Sequence, residues 1–277
     1  MERAPETCIL CQTRERELLI EKDGWKVYRC PTCGLGFLDP RPSESELENL
    51  YQSEYFSEQY DEGLDPSSPQ YQKRLSGEQH RTKFIKSVKR SGNLLDIGCG
   101  YGYFLDACRR HGYQVQGLDI SEWAAQYAAE KLGISISIGK IDTVTLPPAS
   151  FDIITMWHFL EHTTDPHVAL HRAKSWLKSE GILVVDVPNY EGTDAQKIWQ
   201  QWDGWSLPYH HWHFTFNSLR QLLMQHGFNI IKSKDYHSEV VKERFKRIPF
   251  MSLFARLIAK MYSGTSVAVI AKLENYA

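Results

Sequence analysis

The sequence lacks a stretch that could cross a membrane, because no apolar run reaches the ~18–20 residues that span a bilayer. Its beginning, MERAPETCIL, also lacks the apolar stretch of a secretory signal peptide. An excess of charge of either sign is absent too, since 32 Lys and Arg face 34 Asp and Glu and leave a net charge of −2. Sequence-independent affinity for nucleic acid depends on clustered cations. We therefore expect a cytoplasmic protein whose main partner is not nucleic acid.

Cysteine is scarce, and four of the six cysteines form two pairs early in the chain. The pairs, Cys8 with Cys11 and Cys30 with Cys33, follow the pattern C-x2-C-x18-C-x2-C. A disulfide framework is disfavoured in a reducing compartment, whereas this spacing is typical of a zinc ribbon with four thiolate ligands. Such a site has no open position for substrate, so we expect a structural Zn²⁺ in a ribbon over residues 1–40. Four unrelated buried thiols are the alternative interpretation.

From about residue 91 onward, strand and helix patterns alternate along the sequence. The apolar residues within 94–97 predict a buried strand that ends in a glycine-rich turn. Asp165 followed by Pro166 predicts the start of a helix, and Gly181 closes it after Lys178. Alternation of this kind favours an α/β fold with a doubly wound, mostly parallel sheet.

Changes in composition divide the rest of the chain. Residues 41–90 are expected to form a helical linker and cap, in which a helix over 70–90 faces solvent. Residues 91–277 are expected to form the main domain. Two features stand out within it: an insert at 190–216 rich in aromatic residues and histidine, and an amphipathic helix at 249–262.

The glycine-rich turn LLDIGCGYG has the position of a ligand-binding loop, because it ends a strand and opens a helix. Asp96 lies two residues before the first glycine, Gly98, where its carboxylate would repel a pyrophosphate. A cationic ligand suits the loop better, and S-adenosylmethionine carries a sulfonium and an ammonium group. Asp119 ends the second strand, where it could accept hydrogen bonds from both ribose hydroxyls. A plain tight turn with a capping Asp is the alternative.

The motifs LLDIGCGYG, QGLDIS and LPPASFDIITMWHFLEHTTDP resemble those of the class I S-adenosylmethionine-dependent methyltransferases, and the resemblance covers the chain from about residue 70. It implies a seven-stranded Rossmann-like sheet and methyl transfer. Many relatives have an acidic residue where this chain has Lys140, so we assign the adenine amino group to Asp142. The residues expected around the donor are Asp96, Gly98, Cys99, Gly100 and Gly102 at the methionine end, Asp119 at the ribose, Ile120, Ile141 and Asp142 at the adenine, and Trp157 near the sulfonium.

A ribbon ahead of such a domain narrows the resemblance to bacterial methyltransferases of sugar and cell-surface glycan pathways. The segment LPYHHWHFTFNSL is similar to theirs, and it puts His210 where they have a histidine. The resemblance therefore implies a small-molecule acceptor, a sugar or sugar-bearing metabolite, with His210 as the base and His158 and His162 as further catalytic candidates. The Tyr and Glu that precede this histidine in the sugar C-methyltransferases are Leu207 and Tyr209 here, so C-methylation is not implied.

Two other functions compete with this interpretation. The run His158, Glu161 and His162 matches H-x-x-E-H, a signature of zinc peptidases, although the pattern predicts only about one turn of helix there. An RNA-modifying methyltransferase could use the ribbon to hold nucleic acid, but it would need a basic face that the composition does not show.

The two additional features each allow two interpretations. The aromatic insert predicts either an acceptor pocket or an apolar lid that packs on the core. In the segment 249–262, apolar residues recur at helical spacing, with Arg256 and Lys260 off that face. This helix either docks on the domain or contacts a membrane surface or lipid-linked substrate.

Overall fold

Two sheets, with helices packed around the larger one, make up the structure. This computed structural model describes residues 1–43, 45–46 and 63–274. Its strands in chain order are β1 (Glu17–Lys22), β2 (Trp25–Arg29), β3 (Gly36–Leu38), β4 (Asn93–Ile97), β5 (Gln114–Asp119), β6 (Ile136–Ile138), β7 (Phe151–Trp157), β8 (Leu177–Pro188), β9 (Trp212–His213), β10 (Phe228–His237) and β11 (Ser263–Leu273). Its α-helices are α1 (Pro69–Gly77), α2 (Gln79–Lys86), α3 (Tyr103–Arg110), α4 (Glu122–Tyr127), α5 (Pro166–Trp176), α6 (Thr193–Ile198), α7 (Phe216–Gln225), α8 (Glu239–Lys246) and α9 (Ala255–Ala259).

The larger sheet has seven strands in the order β10-β11-β8-β7-β4-β5-β6. Neighbouring strands from β8 to β6 run parallel, and β11 runs antiparallel to both β8 and β10. Successive residues of β4 enter separate apolar clusters, Leu94 with Phe104 of α3 and Leu95 with Leu170 of α5. Helices therefore cover both faces. This confirms the doubly wound, mostly parallel seven-stranded sheet expected from the sequence.

The smaller sheet joins the N-terminal segment to the aromatic insert. Its order is β1-β2-β3-β9, all antiparallel, and β9 comes from the insert. Gly36 pairs with His213 and Phe37 with Trp212. A Cβ on Gly36 would lie 2.9 Å from the Cβ of His213, so only glycine allows this close approach.

The N-terminal segment also packs directly on the main domain. Gln225 Nε2 of α7 donates to the carbonyl of Leu10 at 2.7 Å, and the Tyr190 hydroxyl donates to the carbonyl of Gly34. Leu10 and Leu35 are buried in the same apolar cluster as β4, β7 and β8. The segment that carries the cysteine pairs thus shares a core with the sheet.

The helix predicted over 70–90 differs from what is observed. Two helices, α1 and α2, meet at Glu78, and Tyr71 and Ile85 are completely buried against the main domain. The expectation of a solvent-facing helix is therefore wrong. Other residues of the predicted linker and cap, 44 and 47–62, lie outside the described residues.

The predicted helix after Asp165 begins as expected, with the Asp165 side chain accepting from the backbone amide of His167. It ends earlier than predicted, at Trp176, and β8 begins at Leu177. The reason lies in the neighbouring strand, because Phe151 of β7 pairs with Leu177 and draws it into the sheet. Gly181 therefore lies inside a strand and does not close the helix.

The segment predicted as an amphipathic helix contains only the short helix α9, and turns surround it. Its large apolar side chains point outward, with Phe250 91% and Met261 80% exposed. Docking of this apolar face on the domain is thus not observed. Among the described residues, no helix has the length and apolarity to cross a bilayer.

Candidate functional site

A cavity of about 380 Å³ opens at the carboxyl ends of β4, β7 and β8. Ligands bind at this edge in open parallel sheets, because the strand order reverses there. The residues that line the cavity are Arg74, Glu78, Arg81, Asp96, Gly98, Cys99, Gly100, Tyr101, Tyr103, Phe104, Trp157, His158, His162, Pro188, Asp203, Gly204, Ser206, His210 and Thr265. The cavity therefore joins the glycine loop to the aromatic insert.

The glycine loop has a backbone that other residues would strain. Gly98, Gly100 and Gly102 have φ values of 74°, 50° and 77°, in the left-handed region. A Cβ on Gly98 would also lie 2.7 Å from the ring of Phe159. Glycine is therefore required at these positions by the backbone conformation, and at Gly98 also by the close approach of the Phe159 ring.

Asp119 ties this loop to the end of β5. One carboxylate oxygen accepts from the backbone amide of Gly100 at 2.7 Å, and the other accepts from that of Ser121 at 2.9 Å. Burial raises the pKa of Asp119 above its usual value, against the effect of these hydrogen bonds. Each oxygen has lone-pair capacity left for a ligand hydroxyl.

Asp96 is buried at the bottom of the cavity, where the hydroxyl of Thr155 donates to it at 2.5 Å. Burial raises the pKa of Asp96 to about 7. A cationic ligand would reverse this shift, because an opposite charge favours the carboxylate. The site is therefore suited to an ammonium or sulfonium group.

The sequence interpretation missed a group of charged residues that line the cavity from α1 and α2. Arg81 pairs with Glu78 at 3.1 Å, and its guanidinium lies 4.9 Å from the centre of the Trp157 ring. Arg74 also pairs with Glu78, at 3.2 Å. A signal was present, since Arg74, Glu78 and Arg81 follow the i, i+4, i+7 spacing of one helical face. Together with Asp96 they offer both charges that an amino acid group requires.

His158 follows β7 directly and lines the cavity. Its backbone φ of 52° is unusual for a residue other than glycine. Its Nδ1 lies 3.2 Å from Glu161, and its Nε2 lies 3.8 Å from Asp186. Partial loss of hydration in the cavity would lower the pKa of His158, but Asp186 and Glu161 outweigh that effect and raise it, although the ring is 40% exposed. Its positive charge is therefore favoured.

His210, in contrast to His158, is expected to be uncharged. It is buried, and its Nδ1 lies 2.9 Å from the carbonyl oxygen of Gly204. Because a carbonyl only accepts, Nδ1 carries the proton and Nε2 is left with a lone pair. Burial lowers the pKa of His210 well below its usual value, with smaller contributions from His162 and His213. The ring is therefore neutral near pH 7.

His162 completes the histidine group, with its ring centre 4.5 Å from that of His210. Ligand atoms of Glu161, His162 and His210 all lie within 4.8 Å of one another, so they could hold a metal ion. The H-x-x-E-H motif does not form a peptidase site, because Leu160–His162 is a single 3₁₀ turn. The sustained helix that would align both motif histidines is absent at this position.

The residues expected at the adenine lie apart from those that line the cavity. Ile120 is half exposed at the end of β5, Asp142 is exposed, and Ile141 is partly buried. Asp119 and Gly102 also lie beside the cavity lining. These residues therefore lie outside the cavity lining, on the side of the sheet toward β5 and β6.

The four cysteines converge at the N-terminal segment. Cys8 Sγ lies 3.4 Å from Cys33 Sγ, and Cys11 Sγ lies 3.3 Å from Cys30 Sγ. All four sulfur atoms lie within 4.8 Å of one another. Zinc–sulfur bonds of ~2.3 Å in a tetrahedron would separate the sulfurs by about 3.8 Å, so the cluster fits Zn²⁺ after a small outward adjustment.

Comparison with known proteins matches a methyltransferase domain family over residues 69–233, more than half of the chain. A ubiquinone biosynthesis O-methyltransferase of Coxiella burnetii (strain RSA 493 / Nine Mile phase I) is 31% identical over 116 residues, which are 39% of this chain and 50% of that protein. One from Idiomarina loihiensis is 36% identical over 102 residues, 35% of this chain and 42% of that protein. The chain thus spans about half the length of the curated relatives it matches.

Two solved structures show the same fold. A 1,6-didemethyltoxoflavin-N1-methyltransferase of Burkholderia thailandensis, with bound S-adenosylhomocysteine, aligns with a TM-score of 0.56 at 15% identity and covers 94% of this chain and 100% of its own. A SAM-dependent methyltransferase of Archaeoglobus fulgidus aligns with a TM-score of 0.55 at 21% identity, over 72% and 94% of the two chains. The sheet and its flanking helices therefore have the class I methyltransferase fold. The chain belongs to the methyltransferase domain family.

Proposed function

We propose that this protein transfers the methyl group of S-adenosylmethionine to a hydroxyl group of a small acceptor, a sugar or sugar-bearing metabolite. The observation that carries the proposal is the single cavity in which the glycine loop and Asp96 meet His158, His162 and His210. Such a cavity brings a donor and an acceptor together and excludes water between them.

The donor end of the cavity matches the charges of a methionine group. Asp96 and Glu78 would accept from its ammonium, and Arg81 would pair with its carboxylate. Asp119 would hold the ribose, next to the half-exposed Ile120. Ile141 would cover the other face of the adenine, with Asp142 at its amino group. S-adenosylmethionine, when bound, supplies an activated methyl group on a sulfonium.

His210 is the proposed base. Its lowered pKa keeps it neutral, and its free Nε2 can accept the proton of an acceptor hydroxyl as the methyl group is transferred. The raised pKa of His158 gives that residue a different role, since a charged imidazole donates hydrogen bonds. His158 would orient the acceptor oxygen, and His162 would position the ring of His210.

The acceptor end favours a polyhydroxylated molecule. Besides the histidines it contains Asp203, Ser206 and Thr265, whose side chains are able to hydrogen-bond hydroxyl groups of a ligand. A phenol is the second candidate, because the relatives reported above are O-methyltransferases of ubiquinone biosynthesis. Both candidates require removal of a hydroxyl proton.

Two further proposals concern the setting of the enzyme. The four cysteines would hold one structural Zn²⁺, which would keep the N-terminal segment folded on the main domain. Reduced thiolates require a reducing compartment, so we place the protein in the cytoplasm.

The decisive experiment is transfer of a labelled methyl group to separate pools of nucleotide sugars, phenols and RNA. We expect label in the sugar pool. Label in phenols would replace the acceptor class, and label in RNA alone would overturn a small-molecule acceptor. Absence of transfer to every pool, with no donor binding by calorimetry, would overturn the proposed function.

His210→Gln tests the base separately. We expect kcat to fall by about 10²–10⁴-fold with unchanged donor affinity. Because the pKa of His210 is lowered, the acidic limb of the wild-type pH profile should lie below pH ~6.5 and vanish in the variant. The exposed His111 provides a matched control, and His111→Gln should behave as wild type. A loss under about tenfold with the acidic limb intact would show that another group takes the proton.

A further inference from the structure

The chain between β10 and β11 presents an unusual apolar surface. Within it, α9 buries the small side chains of Ala255 and Ala259, whereas Leu257 and Met261 are 66% and 80% exposed. An amphipathic helix that docks on its own domain has the reverse arrangement. We define the apolar patch by its five exposed members, Phe250, Leu253, Phe254, Leu257 and Met261.

The segment that carries the patch is attached firmly to the domain. The Ser238 hydroxyl donates to Asp194, which also accepts from the backbone amide of Glu239 at 3.1 Å. At the other end, the backbone amide of Ser238 donates to the carbonyls of Ala259 and Tyr262. Because these hydrogen bonds hold the backbone at both ends of the segment, the fold itself directs the large apolar side chains outward. Five large exposed apolar side chains within twelve residues of chain are typical of an interaction site.

The segment that carries the apolar patch has an excess of positive charge, which favours a negatively charged partner. Between Val240 and Tyr262 the chain has six Lys and Arg and a single acidic residue, Glu243, although the protein as a whole has a net charge of −2. Glu243 is paired with Lys246 at 2.6 Å. The exposed cations of this segment are Arg244, Lys246, Arg247, Arg256 and Lys260.

We infer that the apolar patch binds the surface of a membrane that contains anionic phospholipids. A bilayer matches both the apolar side chains and the cations of this segment. Its acyl boundary accepts Phe and Leu side chains, and its anionic headgroups attract Lys and Arg. A second copy of this chain fits less well, since a symmetric contact would bring two cationic surfaces together. The patch is joined directly to the cavity along the chain, because its last member, Met261, lies four residues before Thr265, which lines that cavity. A bound membrane would therefore lie beside the site.

The test is co-sedimentation of the full protein with vesicles of phosphatidylcholine, with or without about 30% phosphatidylglycerol. We expect binding to the anionic vesicles, at least about tenfold weaker binding to the neutral ones, and release by about 0.5 M NaCl. Leu253→Ser with Leu257→Ser should weaken binding about tenfold or more, as should Arg256→Glu with Lys260→Glu.

Matched controls separate binding from folding. Met224 and Ile231 are half-exposed apolar residues elsewhere, and Met224→Ser with Ile231→Ser should bind vesicles like wild type. Donor binding by calorimetry should be unchanged in every variant, whether or not the proposed acceptor is right. Failure of the wild type to bind anionic vesicles, or equal binding by the Leu253 and Leu257 variant, would overturn the inference. So would concentration-dependent dimerisation that this variant abolishes, since the patch would then be a dimer interface.

Discussion

Acid should destabilise this protein through the buried histidines of the aromatic insert. Burial lowers the pKa of His211 to about 4 and that of His213 to about 3, with smaller contributions from Arg41 at His211 and from His211 at His213. In the unfolded chain both pKa values return to about 6.5. Below pH 6.5 these two histidines therefore bind protons in the unfolded state but not in the folded state. The stabilisation is complete above pH 6.5 and is lost as the pH falls toward 4.

The size of the effect follows from these values. Between pH 7 and pH 5, each of the two histidines costs about 2 kcal/mol of unfolding free energy. Together they remove about 4 kcal/mol from a total that is typically ~5–15 kcal/mol for a domain. His210 acts in the same direction. The raised pKa values of His158, Asp96 and Asp119 act in the opposite direction, because these groups bind a proton more tightly in the folded protein. The difference in pH dependence between wild type and a histidine variant therefore tests the contribution of that histidine.

Urea denaturation at pH 7, 6 and 5, followed by tryptophan fluorescence, measures this loss. In His213→Gln the fall between pH 7 and 5 should be about 2 kcal/mol smaller than in wild type, whatever the change in stability at pH 7. His111→Gln is the control, since its exposed ring meets water in both states. Equal pH dependence in wild type and His213→Gln would show that the folded protein protonates this ring, and the reasoning would be refuted.

Three other outcomes are expected. Asp119→Ala should weaken donor binding by ~1.5–3 kcal/mol, or roughly 10- to 150-fold in Kd, because a charged acceptor is lost. Wild-type affinity in calorimetry would contradict the ribose assignment. The control is Asp235→Ala, which removes an exposed carboxylate on β10. Elemental analysis should find one zinc per chain in wild type and none in Cys30→Ser, which should also melt at a lower temperature since Cys30 is buried in the shared core; unchanged zinc content would contradict the ribbon. Trp205→Ala should lower the unfolding free energy by ~3–5 kcal/mol in urea, because the ring is completely buried, and a change under about 1 kcal/mol would show a loosely packed insert.

The elements that the sequence predicts well are those with local signals. The strand ending at Ile97, the glycine turn and the helix start at Asp165 each depend on residues within one or two turns of the chain. The order of parallel strands then follows from the alternation of strands and helices. The end of α5 was misplaced because pairing of Phe151 with Leu177 outweighed the local signal of Gly181.

The sequence predicts the parts of the site that lie within one continuous motif. It does not predict the parts that form where distant segments of the chain meet. The glycine loop and Asp119 lie together as a continuous motif would require, with a direct hydrogen bond from Gly100. The spacing of Arg74, Glu78 and Arg81 places them on one helical face, but it does not show that this face lines a cavity formed by distant segments. The strand β9 was missed because its partner, β3, lies about 175 residues earlier in the chain.

The pairing of β3 with β9 also affects how the protein is made. A ribosome that adds ~5–20 residues per second leaves the open edge of β3 without its partner for roughly 10–35 seconds, until Trp212 emerges. Exposed strand edges invite pairing with other chains. The Zn²⁺ proposed at the four early cysteines would keep the nascent N-terminal segment compact during translation, until the rest of its sheet has been synthesised. Zinc shortage would then appear first as aggregation of newly made chains, before any loss from the mature pool.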